Sequence, residues 1–104
     1  MRSTIIKTLT NGRMQEVQRQ DFLTLLAQEG FGTTVIVERE PLGTLDNHAH
    51  PFEAKALVLQ GELTIHTHAS AHTYKEGDIF HLQANEPHSE VFGPEGVQYL
   101  VGRR

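Results

Sequence analysis

The sequence predicts an all-β fold, a sandwich or barrel with one short N-terminal helix. Three observations carry this. Apolar residues recur at helical spacing in one segment only, everything from Thr33 onward breaks into short β-rich runs cut by Gly, Pro and Asn, and those runs follow one another at regular intervals. With 104 residues the chain can build one hydrophobic core and bury roughly 60–70% of its unfolded surface. A single domain over residues 1–104 is therefore expected, with the helix at about 18–29 and the β-rich part at about 33–101.

The helix is read from Gln18 to Glu29, where Phe22, Leu25 and Leu26 fall on one face. It follows the polar stretch Asn11-Gly12-Arg13, Asp21 favours its first turn, and Gly30 can take the left-handed conformation that ends it. Its apolar stripe reads as ordinary core packing. Strands follow at Thr33 to Arg39, Ala54 to Leu59, Glu62 to Thr67, Ile79 to Leu82, Ser89 to Phe92 and Val97 to Val101, separated by Glu40-Pro41, Gly61, Ala69-Ser70-Ala71 and Gly93-Pro94. In the second of these, Leu57 and Leu59 are apolar on the face opposite Ala56 and Val58. Such a strand is buried on both sides, so either the N-terminal helix or a partner subunit must cover its outer face.

Composition excludes several functions. The net charge is −4, and no Lys/Arg cluster occurs beyond Arg103-Arg104, so nucleic acid is not an expected partner. Cysteine is absent, which removes disulfides, thiolate zinc sites and thiol catalysis together. The longest uninterrupted apolar stretch, Ala56 to Leu59, is far below membrane length, and Lys7 and Thr8 interrupt the only apolar run near the start. A cytoplasmic protein without membrane contact is the default expectation.

Of the seven histidines, His48 and His50 stand out. Two apart on an extended chain, both side chains leave one face and converge, which is a chelating geometry. Imidazole suits Fe, Zn, Cu and Ni, and two such groups need further partners from elsewhere in the fold. A lone H-x-H is more often a pair of surface histidines, here in a loop after Gly43. The rest of the arrangement changes that reading. His48-x-His50-Pro51, an apolar strand ending Val58-Leu59-x-Gly61-Glu62, then Gly77-Asp78 before a short apolar run, then Pro87-His88, closely resembles the cupin superfamily from about Gly43 to His88.

The resemblance implies a small cupin-type double-stranded β-helix, or jelly-roll barrel, with a divalent metal bound inside it. In such proteins two histidines and a glutamate from the first motif and one histidine from the second hold the ion; here the histidines map onto His48, His50 and His88. The glutamate position is occupied by Ala54. Three completions stay open. Glu53 is the neighbouring carboxylate, but strand parity turns it outward unless a bulge or turn at Pro51-Phe52 resets the alternation. Glu90 shares a strand face with His88. Alternatively three histidines suffice, with water or substrate in the remaining position. In the second motif Gln83 and Asn85 replace residues that are often proline and glycine, and Phe92 an asparagine; Asn85 tolerates the left-handed turn conformation.

The remaining histidines carry less. His66, His68 and His72 fall on and after the polar face of the strand Glu62 to Thr67 and are expected to face solvent, where they could take up adventitious metal. His81, between Phe80 and Leu82, either lines the barrel and supports the ligands from behind or faces outward. Ala54, Ala56 and Val58 should line an apolar pocket beside the histidines.

Two classes of function follow. One is a metal-dependent enzyme using Fe, Mn, Ni or Zn on a small molecule, with dioxygenase or isomerase chemistry as the resemblance implies, and with Glu53, Glu90 and His81 the only acid–base groups in reach. The other is a domain that binds a small molecule or metal without turning it over, or a structural barrel with vestigial histidines, which the substitution at Ala54 favours. Proteins resembling this one are commonly dimers, so a homodimer is expected.

Overall fold

The computed structural model describes residues 2–104, with side chains from Met14 onward. One helix, α1 (Arg2–Gln28), precedes six strands: β1 (Thr33–Arg39), β2 (Thr44–His48), β3 (Ala54–His66), β4 (Ala71–Lys75), β5 (Ile79–Leu82) and β6 (His88–Arg103). Among the described residues no helix is long and apolar enough to cross a membrane.

The helix is longer than its apolar periodicity indicates and runs through the Asn11-Gly12-Arg13 stretch expected to precede it. Among the described side chains, only those of its last turns pack. Phe22 and Leu26 are buried and Leu23 and Leu25 half-buried, whereas residues 14–20 are all exposed, so burial leaves its mark on the sequence at one end alone. The end itself is read correctly. Gly30 takes a φ of 85°, its N–H donates to the Ala27 carbonyl, and the Phe31 N–H reaches back to that of Leu26. This pair of bonds, with buried Phe31 against Leu26, is a Schellman cap.

β3 and β6 are each one long strand rather than the two short ones expected. Both glycine-marked breaks are corners within a continuing strand. β3 and β6 pair antiparallel from Ala54↔Arg103 through Gly61↔Val97, and again from Leu63↔Phe92 to His66↔Ser89. Between these stretches Glu62 alone on β3 faces four residues, Gly93 to Gly96, on β6. Such an excess of residues on one strand bends the pair sharply, so each strand serves two sheets. In one, β1 and β5 flank the β6 and β3 segments near Val101 and Ala56; in the other, β2 and β4 flank those near Glu90 and Ile65. This is the jelly-roll arrangement, although the hydrogen-bonded path runs from β1 to β4 without closing. β2 and β4 were not foreseen, because TLDNH and AHTYK are polar edge segments with a single large apolar side chain apiece.

Two cores result. The inner one gathers Ala54, Ala56, Val58, Leu63, Ile65, Phe80, Leu82, Phe92, Val97, Tyr99 and Val101 between the sheets. The outer one packs Phe22, Leu26 and Phe31 on Leu57 and Leu100. The second face of β3 is thus covered by α1 within the same chain, which removes the need for a partner subunit there.

The corner sets a stability prediction. Gly61 has a φ of 72°, and a Cβ built there would lie 2.0 Å from the Gly96 carbonyl oxygen. Gly61→Ala is expected to cost roughly 2–4 kcal/mol in denaturant unfolding. At Gly30 a Cβ meets nothing within 4 Å, so Gly30→Ala bears only the left-handed backbone term of about 1–2 kcal/mol. Equal losses would show that the corner contact is relaxed in solution.

Candidate metal centre and its cavity

The site is assembled where β2 meets the start of β6. His48 pairs with His88 and Leu45 with Glu90, leaving Asp46 and Asn47 opposite the single residue Ser89. This bulge allows Leu45 and His48, which strict alternation would place on opposite faces, both to point inward. On β6, His88 and Glu90 are two apart and face inward together. His50 follows β2 in a loop, and its carbonyl accepts the Asn85 N–H at 2.6 Å. Asn85 has a φ of 62°, so the turn keeps its left-handed residue without glycine.

The three imidazoles form one cluster. Ring centroids of His48 and His88 are 4.3 Å apart, those of His48 and His50 5.0 Å, and those of His50 and His88 5.4 Å. One ring nitrogen from each lies within 4.8 Å of the others. The outer nitrogens of two rings are fixed: His48 Nδ1–H donates to the Asp46 carbonyl at 2.6 Å and His88 Nδ1–H to the Glu86 carbonyl at 2.9 Å. In the neutral imidazoles the Nε2 atoms therefore present their lone pairs to the cluster. The buried Glu90 carboxylate joins them, Oε2 lying 3.3 Å from His48 Nε2 and 3.5 Å from His88 Nε2. His88 Nε2 is buried with no hydrogen-bond partner. Burial, then the neighbouring His48 and His88, then Arg103, push the His50 pKa down, which favours its neutral form.

Acceptors thus converge without a donor between them. A cation satisfies such a set, and three imidazoles with a carboxylate suit a first-row divalent metal. The residues present fit the ion that the sequence resemblance implies.

The other candidates lie elsewhere. Glu53 stays out of the cluster. Its backbone N–H and carbonyl both pair with Arg104, extending the β3–β6 ladder by one residue, so the bend at Pro51-Phe52 does not reset parity. Its carboxylate accepts Arg104 Nε–H at 2.7 Å and meets His81 Nε2. The Arg104 guanidinium and then His81 hold its carboxyl below the usual range. His81 is exposed, with its ring edge-on to Phe31 on the outer side, so it supports none of the three rings. His66, His68 and His72 are exposed as well.

A cavity of about 380 Å³ opens beside the histidines. Ala54 lines it, while Ala56 and Val58 lie deeper, inside the inner core. Its apolar wall includes Val37, Leu45, Phe80, Leu82 and Val101. Phe52, Tyr99, Arg39 and Arg103 also line it, and sequence reasoning missed all four. Parity was the available signal: 48, 50, 52 and 54 share one face, as do 99, 101 and 103. The Phe52 ring stacks on His50 at 4.9 Å and 15°. Burial, then the Glu90 charge, push the Tyr99 hydroxyl pKa up. Another hollow, about 300 Å³ between α1 and β3, is lined by Gln15, Gln18 and Glu76 among others and holds none of the histidines.

The comparisons agree with this architecture. Residues 35–95 match the family model described as "Cupin domain". The chain is a cupin. No curated protein matches it significantly. Among solved structures, this cupin is similar to a protein of unknown function from Rhizobium leguminosarum, with a TM-score of 0.66 and 20% identity over 68% of this chain and 67% of the other. An RmlC-like cupin from Shewanella frigidimarina gives 0.59 and 18%, over 68% and 64%. A structure described as DMSP lyases gives 0.63 and 21%, over 68% of this cupin and 37% of that chain. This cupin spans two thirds or less of the latter two. At these identities the likeness is one of fold.

The Glu53 contacts yield a pH prediction. A glutamate whose folded pKa is depressed adds stability above its unfolded value of about 4.3, and this is lost as pH falls toward the folded value. Melting curves of wild type and Glu53→Gln should therefore differ at pH 7, and the difference should shrink as pH falls below about 4.3. A constant difference across that range would remove the Arg104 and His81 contacts as its source.

Proposed function

We propose that this cupin binds one divalent metal on His48, His50, His88 and Glu90 and acts on a small molecule held in the adjoining cavity. The observation that carries this reading is the donor-free convergence of imidazole nitrogens and a buried carboxylate around the orphaned His88 Nε2. Glu90 takes the place left by Ala54, from the second motif instead of the first.

Bound there, Fe, Mn, Ni or Zn would supply Lewis acidity and an open coordination position, the chemistry on which cupin dioxygenases and isomerases draw. The chain's own residues do the rest. The carbonyls of Asp46 and Glu86 fix the tautomers of His48 and His88, so both Nε2 atoms stay available as ligands. The apolar wall offers a surface for the non-polar part of a ligand. Tyr99, kept protonated by burial, offers an O–H donor to a ligand in the cavity. Glu53 and His81 have no part in proton transfer, since both face outward. Their position supports a second reading, binding without turnover. Oxygen consumption or product formation by metal-loaded protein separates the two, against saturable ligand binding with no product.

Metal content per chain tests the site itself. Wild type purified without added metal should carry near one ion, and His66→Ala/His68→Ala should keep it. His88→Ala should lose it, and Glu90→Gln should lower affinity by roughly 10–100-fold. A wild type that stays empty and refuses Fe, Mn, Ni and Zn would overturn the reading. Retention by Glu90→Gln at full affinity would leave a three-histidine site.

A homodimer is part of the same proposal. Its support is now the edge strand β1, where Val35 and Ile36 are exposed at the end of the sheet path. Light scattering should give twice the chain mass, and a monomer at micromolar concentration would sink it.

A further inference from the structure

The end of β6 carries two consecutive arginines with opposite fates. Arg104 points outward, where Glu53 accepts its Nε–H and the Phe31 ring lies beneath its guanidinium at 4.4 Å. Arg103 shares the inward face with Tyr99 and Val101, opposite Ala54 on β3, and lines the cavity. Its guanidinium carbon sits 5.0 Å from the centre of the Phe52 ring, and its Nε is buried with no hydrogen-bond partner. Among the described residues neither Arg103 nor Arg39, the other guanidinium of the cavity, takes part in an ion pair.

An arginine cannot shed its charge, and a sequestered guanidinium N–H without an acceptor is costly. Of the carboxylates nearby, Asp46 lies exposed at the rim and pairs with neither arginine, and the other two are committed. Glu53 serves Arg104 outside the barrel, and Glu90 faces the histidines. An acceptor for Arg103 can then come from whatever enters the cavity in place of solvent. A guanidinium fork matches a planar carboxylate, and the surrounding wall of Phe80, Leu82 and Val101 calls for an organic body rather than a bare ion.

We propose that the cavity recognises a small organic monocarboxylate, held by its carboxylate on Arg103 with Arg39 as a second cation and its apolar part against Phe80, Leu82 and Val101. Arg103 is then the residue that selects for charge. The inference rests on the metal reading above only for placing the other end of the ligand at the histidines.

The test uses ¹⁵N-labelled full-length protein as purified, with metal content measured on each sample. Butyrate and benzoate are the probes, and butyramide and sulfate the controls. The Arg103 Nε–H resonance, identified by its loss in Arg103→Gln, should move saturably with the carboxylates and stay still with the amide. Arg103→Gln should weaken butyrate binding at least about tenfold, as expected when one partner of a desolvated charge-assisted pair is removed. Arg103→Lys should fall between, and Arg104→Gln should bind as wild type does. The proposal is overturned if neither carboxylate moves the resonance, if butyramide binds as well as butyrate, if sulfate binds more tightly than both acids, or if Arg103→Gln and Arg103→Lys bind like wild type. The two readings fail separately. Carboxylate binding that needs Arg103 in protein that refuses Fe, Mn, Ni and Zn would sink the metal site and keep this inference, whereas a full metal site with no Arg103-dependent binding would do the reverse.

Discussion

β3 and β6 run antiparallel along almost their whole lengths, and each of the other four strands pairs with one of these two. Where they bend therefore decides where everything else lies. The bend needs Gly61 and Gly96 in near backbone contact, with Glu62 as the only β3 residue opposite the Gly93 to Gly96 excursion. Beyond it, alternation restarts in the second sheet and places His88, Glu90 and Phe92 inward. Before it, the same alternation places Tyr99, Val101 and Arg103 inward. Chemistry from both ends of one strand so meets in a single cavity.

Much of this was legible in the residues. The regular β runs, the Gly30 stop and the convergence of the H-x-H pair follow from periodicity, turn chemistry and spacing, and the resemblance to cupins added His88 as their partner. What escaped had physical causes. β2 and β4 are edge segments whose outward residues are polar and whose inward ones are few, so neither shows a strand pattern. Residues 14–20 are exposed, so that part of α1 shows no apolar stripe. Gly61 and Gly93 read as strand ends because a glycine that terminates a strand and one that turns its corner look alike in sequence. Glu53 and His81 could be placed only once the Arg104 pairing fixed the parity at the start of β3. The sequence also offered Glu90 on the face of His88, yet only the bulge in β2 shows that His48 reaches the same carboxylate.

The barrel also divides charge by side. Outside, Glu53 satisfies Arg104 and His81, Glu29 satisfies Lys55, and Glu38 accepts from Gln98, contacts that solvent can replace at little cost. Inside, Glu90 faces histidines, and Arg103 lies against the Phe52 ring without an ion pair among the described residues. Surface pairs complete one another, while the interior groups are left complementary to something from outside. Interior polar groups in this state lower the stability of the empty protein and raise its affinity for a matching guest.

The bulged strand β2 carries a further consequence. It is hydrogen-bonded to the rest of the molecule along one edge, through few pairings to β6, and its last residue is His48. An ion shared between His48, His50 and His88 would act as a clasp, closing the stretch of chain between the first motif and the second. Folding and loading are then thermodynamically linked, because the entropy of that closure falls on the metal when it is present and on a short, frayed edge when it is not. The same clasp borders the mouth through which a guest must pass, so a protein starved of metal should hold its cavity less firmly than its inner core, and loosen first at the rim.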